Sequence, residues 1–75
     1  MEHFDVKMAV ELRKKIKGKR GRYSQEEFAG DIKVGLRTVS SWEGKKAPKG
    51  MTMAARVNCL CLMQNEGITG EELKP

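Results

Sequence analysis

The tightest constraint in this sequence is the stretch from Ser24 to Lys46, which reads SQEEFAGDIKVGLRTVSSWEGKK. Ser24 is followed three residues later by Glu27. That is a capping box: the hydroxyl accepts the Glu27 amide and the carboxylate returns a bond to the cap. The spacing predicts a helix that buries Phe28, Ala29 and Ile32 and ends near Ile32 or Lys33. A second helix is predicted from Leu36 to Glu43, with Val39 and Trp42 facing inward and Gly44 as a left-handed stop. Helices this short are marginal alone, so tertiary packing has to hold them. The small Ala29 sits where they must cross, with Ile32 and Val34 flanking the turn. One short helix then braces a second whose N-terminal half and outer face stay free.

The rest of the chain reads as further helices. Met8, Ala9, Leu12 and Ile16 form one apolar stripe, predicting a helix from about Asp5 to Lys17. Gly18 and Gly21 are expected to break it, leaving Gly18 to Tyr23 as a loop. Gly44 to Gly50 is expected to be a second loop, reinforced by Pro48. A helix from about Met51 to Gln64 is expected to bury Ala54, Val57, Leu60 and Cys61, with Met51, Met53 and Met63 packing within the fold, and to stop at Gly67. Thr69 and Glu72 form another capping box over a final turn, Gly70 to Lys74. No segment alternates as a strand does. The expectation is a single all-α domain over residues 1–75, a four- to five-helix bundle whose core includes Phe28, Val39, Trp42 and Val57. At 75 residues it can bury only a small core.

Charge narrows the partner. Fifteen basic residues against ten acidic give a formal net charge of +5, which favours a polyanion such as nucleic acid or an acidic membrane surface. Seven cations, Arg13, Lys14, Lys15, Lys17, Lys19, Arg20 and Arg22, crowd into residues 13–22 with no acid among them. A bland reading exists: cations near a helix C-terminus are favourable there anyway. No apolar run approaches the ~18 residues of a membrane span, and the first residues do not read as a signal peptide. Reduced cysteines, Cys59 and Cys61, fit a cytoplasmic setting: two residues apart on a helix they cannot bridge easily, and the spacing is not that of a metal or redox pair. His3 is the one histidine, far in sequence from either cysteine. No catalytic set, phosphate loop or metal cluster can be assembled, so the chain reads as a non-enzyme without a cofactor.

The segment Ser24-Gln25-Glu26-Glu27-Phe28-Ala29, followed by Thr38-Val39-Ser40-Ser41-Trp42-Glu43, resembles the phage-repressor/Cro (XRE-type) helix-turn-helix family, with the motif over about residues 24–43 and similarity from about Ala9 to Leu62. Three features depart from the family pattern. Lys33 stands where the turn is usually Gly, Gly35 replaces a capping Ser, and the first loop reads as longer. The resemblance implies a lambda-repressor-like fold and sequence-specific binding of double-stranded DNA by a transcriptional regulator, a repressor of promoters. By the same likeness, Leu36, Arg37, Thr38, Ser40 and Ser41 would face base edges, with Arg37 suited to guanine through its forked donors. Gln25, at a helix N-terminus, and Lys45 and Lys46, past the second helix, would contact phosphates; Lys17, Lys19, Arg20 and Arg22 are further phosphate candidates. Arg13 and Glu43 are expected to form a partly buried structural ion pair. One recognition helix reads few base pairs, so a homodimer is expected on DNA, using the C-terminal half. An antitoxin with a toxin partner, a restriction-modification controller and a protein-interaction adaptor remain open from the sequence.

Overall fold

The structure, a computed structural model, describes residues 4–44 and 50–73. Four α-helices follow in order: α1 (Val6–Arg20), α2 (Gln25–Ile32), α3 (Leu36–Trp42) and α4 (Met53–Glu66), then a 3₁₀ turn at Gly70–Leu73. No strand occurs among the described residues, so the fold is an all-α bundle.

Each helix starts on a side-chain cap or its substitute. Asp5 accepts the Met8 amide at 3.0 Å. Ser24 accepts the Glu27 amide at 3.0 Å, and the Glu27 carboxylate meets the Ser24 hydroxyl at 3.5 Å. Thr52 accepts the Ala55 amide at 3.2 Å. Gly35 opens α3 with extended backbone and no side-chain cap. At Thr69 the backbone amide donates to the Glu72 carboxylate at 2.8 Å, a contact that draws the Glu72 carboxyl below its usual range.

Several element ends differ from the sequence expectation. Gly18 does not break α1, which runs on to Arg20. A mid-helix glycine costs only about 0.5–1 kcal/mol relative to Ala, and Ile16 still has core to fill. The stop is Gly21, at φ 85°, whose amide donates to the Lys17 carbonyl at 2.8 Å. The loop is therefore shorter than expected. Gly44 is not a left-handed stop: α3 ends at Glu43 with φ −93° and ψ 0°, and the Gly44 amide closes a tight turn onto the Ser41 carbonyl at 3.2 Å. Lys33 does adopt the left-handed conformation, at φ 58°. That conformation costs a non-glycine residue roughly 1–2 kcal/mol. It lets the Val34 amide reach back to the Ala29 carbonyl at 3.0 Å, sealing the end of α2.

The core draws on every element. Val6, Ala9, Leu12 and Ile16 of α1 meet Phe28, Ala29 and Ile32 of α2 and Val39 and Trp42 of α3. Phe4, Tyr23, Ile68 and Leu73 close the ends of the bundle. Aromatic edges interlock along one line, Tyr23 to Phe28 at 6.0 Å and Phe28 to Trp42 at 6.5 Å between ring centres. In α4 the expected stripe is rotated: Ala55, Cys59 and Met63 are buried, while Ala54, Val57 and Cys61 are exposed and Leu60 is half-buried. Val57 is thus surface rather than core, and Met53 is exposed too. Two long-range bonds set this phase. Asn58 donates to the Ile32 carbonyl at 2.9 Å, and Arg56 donates to the Phe4 carbonyl at 3.1 Å. Both cysteines are free thiols. Burial pushes the Cys59 thiol up to about 12.

Candidate nucleic-acid interface

The unit of interest is α2, its turn at residues 33–35, and α3. Val39 and Trp42 are the two buried residues of α3. Full burial of such side chains is worth about 1.5–3 kcal/mol each, and that pins a helix too short to stand alone. The opposite arc is bare. Leu36 is 47% exposed, and Arg37, Thr38, Ser40 and Ser41 are all exposed. At 100° per residue these five positions form one continuous surface. Arg37 is exposed and makes no hydrogen bond or ion pair among the described residues.

The C-terminal end of α3 is fixed by charge. Arg13 Nε donates to Glu43 Oε2 at 2.6 Å and Nη2 to Oε1 at 2.8 Å. The third donor, Nη1, reaches the Tyr23 carbonyl at 2.7 Å. The two side chains are only 13% and 12% exposed. Hydrogen bonding to Glu43 raises the Arg13 pKa further. One guanidinium thus ties α1 to the start of α2 and the end of α3. A bidentate fork of this kind fixes orientation as well as distance. The ion pair expected from the sequence is present.

Gln25 opens α2 and is half-buried. Helix N-termini attract anions through their free amides, but Glu26 and Glu27 occupy the same first turn and offset that attraction. Lys45 and Lys46 lie outside the described residues.

The basic end of α1 divides in two. Lys17 and Arg22 are exposed, and neither side chain has a hydrogen bond or ion pair among the described residues. Lys19 and Arg20, also phosphate candidates, are exposed but engaged within the fold. Lys19 Nζ donates to the Glu66 carbonyl, and Arg20 Nη2 donates to Glu66 Oε2 at 2.7 Å. The Arg20 guanidinium also lies 5.1 Å from the centre of the Tyr23 ring. The Tyr23 hydroxyl donates to Asp31; burial first, then this bond, raises the phenol pKa above its ordinary value. These contacts join the ends of α1 and α4 beside the end of α2. The sequence offered no local signal for them, because Glu66 lies 46 residues from Arg20.

No group of three or more metal-ligating side chains occurs among the described residues. No described helix is long and apolar enough to cross a membrane. The arrangement is that of an all-helical bundle in which two short helices meet across a three-residue turn and the second is bare along one face. Set against known protein families, curated proteins and solved structures, the chain matches none.

Proposed function

We propose that this chain is a sequence-specific double-stranded DNA-binding protein, a transcriptional repressor that acts as a homodimer on DNA, with α3 as the helix that enters the major groove. The observation that carries the reading is the division of α3 into two faces. Val39, Trp42 and the Arg13–Glu43 pair hold one face rigidly. The other offers Leu36, Arg37, Thr38, Ser40 and Ser41, all exposed. A major groove admits a helix, and its base edges take these side-chain types: a forked cation for guanine, hydroxyls for any edge, an apolar group for the thymine methyl. The net charge of +5 supplies the nonspecific attraction that phosphates reward. Lys17, Arg22 and Gln25 are the described candidates for phosphate contact.

Selection of the purified chain on a random duplex library, with wild type and Arg37→Ala at two salt concentrations, tests this. The expected result is an enriched two-fold symmetric site whose guanine preference weakens in Arg37→Ala, at a cost of about 1–3 kcal/mol at that position. Binding to all duplexes alike, falling steeply with salt and indifferent to Arg37→Ala, would reduce the chain to a general polyanion binder. Absence of DNA binding at either salt would favour the protein-adaptor reading.

A further inference from the structure

The basic end of α1 is met by acids from the far end of the chain. Lys17 and Arg22 are exposed and make no hydrogen bond or ion pair among the described residues. Arg20 lies between them in sequence, three residues after Lys17, a spacing that makes Lys17 and Arg20 neighbours on the helix surface. Glu66, the last residue of α4, takes Arg20 Nη2 on Oε2 at 2.7 Å, and its carbonyl takes Lys19 Nζ. The Glu66 side chain is 16% exposed and that of Arg20 44%. Hydrogen bonding to Glu66 is the first cause that raises the Arg20 pKa, and the charge of Asp31 adds to it. Farther on, the Glu72 carboxyl, drawn down first by the Thr69 amide, also feels Lys15 and Lys19.

A carboxylate and a phosphate compete for the same guanidinium donors, because both are oxyanions that its fork of N–H groups accommodates. The carboxylate of Glu66 belongs to the same molecule, so it bears none of the entropy cost of association. It also places a negative charge where a phosphate would have to approach. We infer that Glu66 is an intramolecular stand-in for phosphate, which masks Arg20 from a nucleic-acid backbone. The mask divides the basic run. Lys17 and Arg22 meet phosphates, whereas Arg20 meets one only when Glu66 is released. An exposed ion pair is weak, so the mask trims affinity rather than abolishing it, and its removal should raise affinity about two- to fivefold. The inference rests on the DNA reading for its polyanion, a duplex backbone, and adds which cations of α1 that backbone meets.

Binding of the full chain to one arbitrary duplex is titrated across salt for wild type, Glu66→Gln, Arg20→Gln and the double variant, with heparin as a second polyanion. On a duplex, log K falls with log salt at a slope of about 0.9 per phosphate engaged. Glu66→Gln should steepen the slope by about 0.9. Arg20→Gln should leave the slope unchanged in the otherwise native chain and cancel the gain in the Glu66→Gln background. A general effect of net charge cannot do this, because losing one cation would then cost the same in both backgrounds. Circular dichroism checks that Glu66→Gln folds. Should α4 loosen, Lys17→Gln and Arg20→Gln in the otherwise native chain decide: the first should lower the slope by about 0.9 and the second should leave it alone. Equal costs of Arg20→Gln with and without Glu66 overturn the inference, as do equal slope losses for Lys17→Gln and Arg20→Gln. The expected pattern on heparin with no binding to duplex would sink the DNA reading alone. A selected duplex site with equal costs of Arg20→Gln would sink only this inference. A chain that binds neither polyanion, with or without Glu66, overturns both.

Discussion

Among the described residues two arginine–glutamate pairs tie helices together, and they are not equivalent. Arg13 and Glu43 face each other through two hydrogen bonds, both side chains largely withdrawn from water, with a third donor spent on the Tyr23 carbonyl. Arg20 and Glu66 share a single bond, and the Arg20 side chain is 44% exposed. The first pair is woven into the site: it locates the end of α3 relative to α1 and α2. The second draws cationic charge off the surface at the far end of α1. Tyr23 lies between them, its carbonyl serving Arg13 and its ring lying under Arg20. The contrast teaches that counting cations does not measure the charge a partner meets. Arg37 is exposed and makes no bond among the described residues, whereas Lys19 and Arg20 belong to the densest basic run yet bond to Glu66.

The largest effect should come from breaking the first pair. Glu43→Ala leaves a half-buried guanidinium with the Tyr23 carbonyl as its remaining partner, and the loss of charged hydrogen bonds costs about 1.5–3 kcal/mol. In a domain of this size that lowers Tm by about 6 °C or more. Arg13→Ala should cost a similar amount, and the double variant much less than the sum of the two. Thermal unfolding of the four proteins gives the coupling directly. Additive losses would show that the pair does not act as a unit, and its place in holding α3 would go with it.

How far the sequence led can be judged against these same elements. α2 and α3 were legible because their signals are local: Ser24 caps Glu27, Ala29 and Ile32 face inward at helical spacing, and Val39 and Trp42 do the same three residues apart. The exposed arc of α3 followed from that phase. The Arg13–Glu43 pair was legible only through family resemblance, since nothing local links residues 30 apart. α4 was readable as a helix but not in phase. Met53, Ala54, Ala55, Val57, Cys59, Leu60, Cys61, Leu62 and Met63 surround the helix with apolar groups, so periodicity admits several stripes. The choice is made by Asn58 on the Ile32 carbonyl and Arg56 on the Phe4 carbonyl, both long-range. Gly18 misled for a related reason. A glycine's intrinsic cost is small beside the burial of the helix around it, whereas Gly21, in left-handed backbone, is a true stop.

A pH titration of stability separates the ion pairs from the core. Both guanidiniums keep their protons far above neutral pH, so they contribute no loss in mild alkali. Cys59 does. Its thiol titrates at about 12 in the folded chain but near 8.5 when unfolded. Above about pH 8.5 the unfolded state releases a proton that the folded state retains. The unfolded state then binds fewer protons, and stability falls as pH rises. The slope approaches about 1.4 kcal/mol per unit in the window between about 8.5 and 10, before tyrosine and lysine join. Cys59→Ala should flatten that slope, whatever its effect on Tm at pH 7. An unchanged slope would place the alkaline loss elsewhere.

The smallest effect should belong to the second pair. Glu66→Gln removes the charge that Arg20 faces but leaves the Glu66 carbonyl, which Lys19 uses, in place. An exposed pair gains little over its hydrated partners, because it must also immobilise two long side chains. Its Tm should drop far less than that of Glu43→Ala, and the drop should vanish by about 0.5 M salt, where screening acts over a few ångströms. The Glu43→Ala loss should persist there, because water and ions reach that pair poorly. If both losses fade together with salt, the two pairs are energetically alike, and the difference in burial between them has no consequence for how firmly α3 is held.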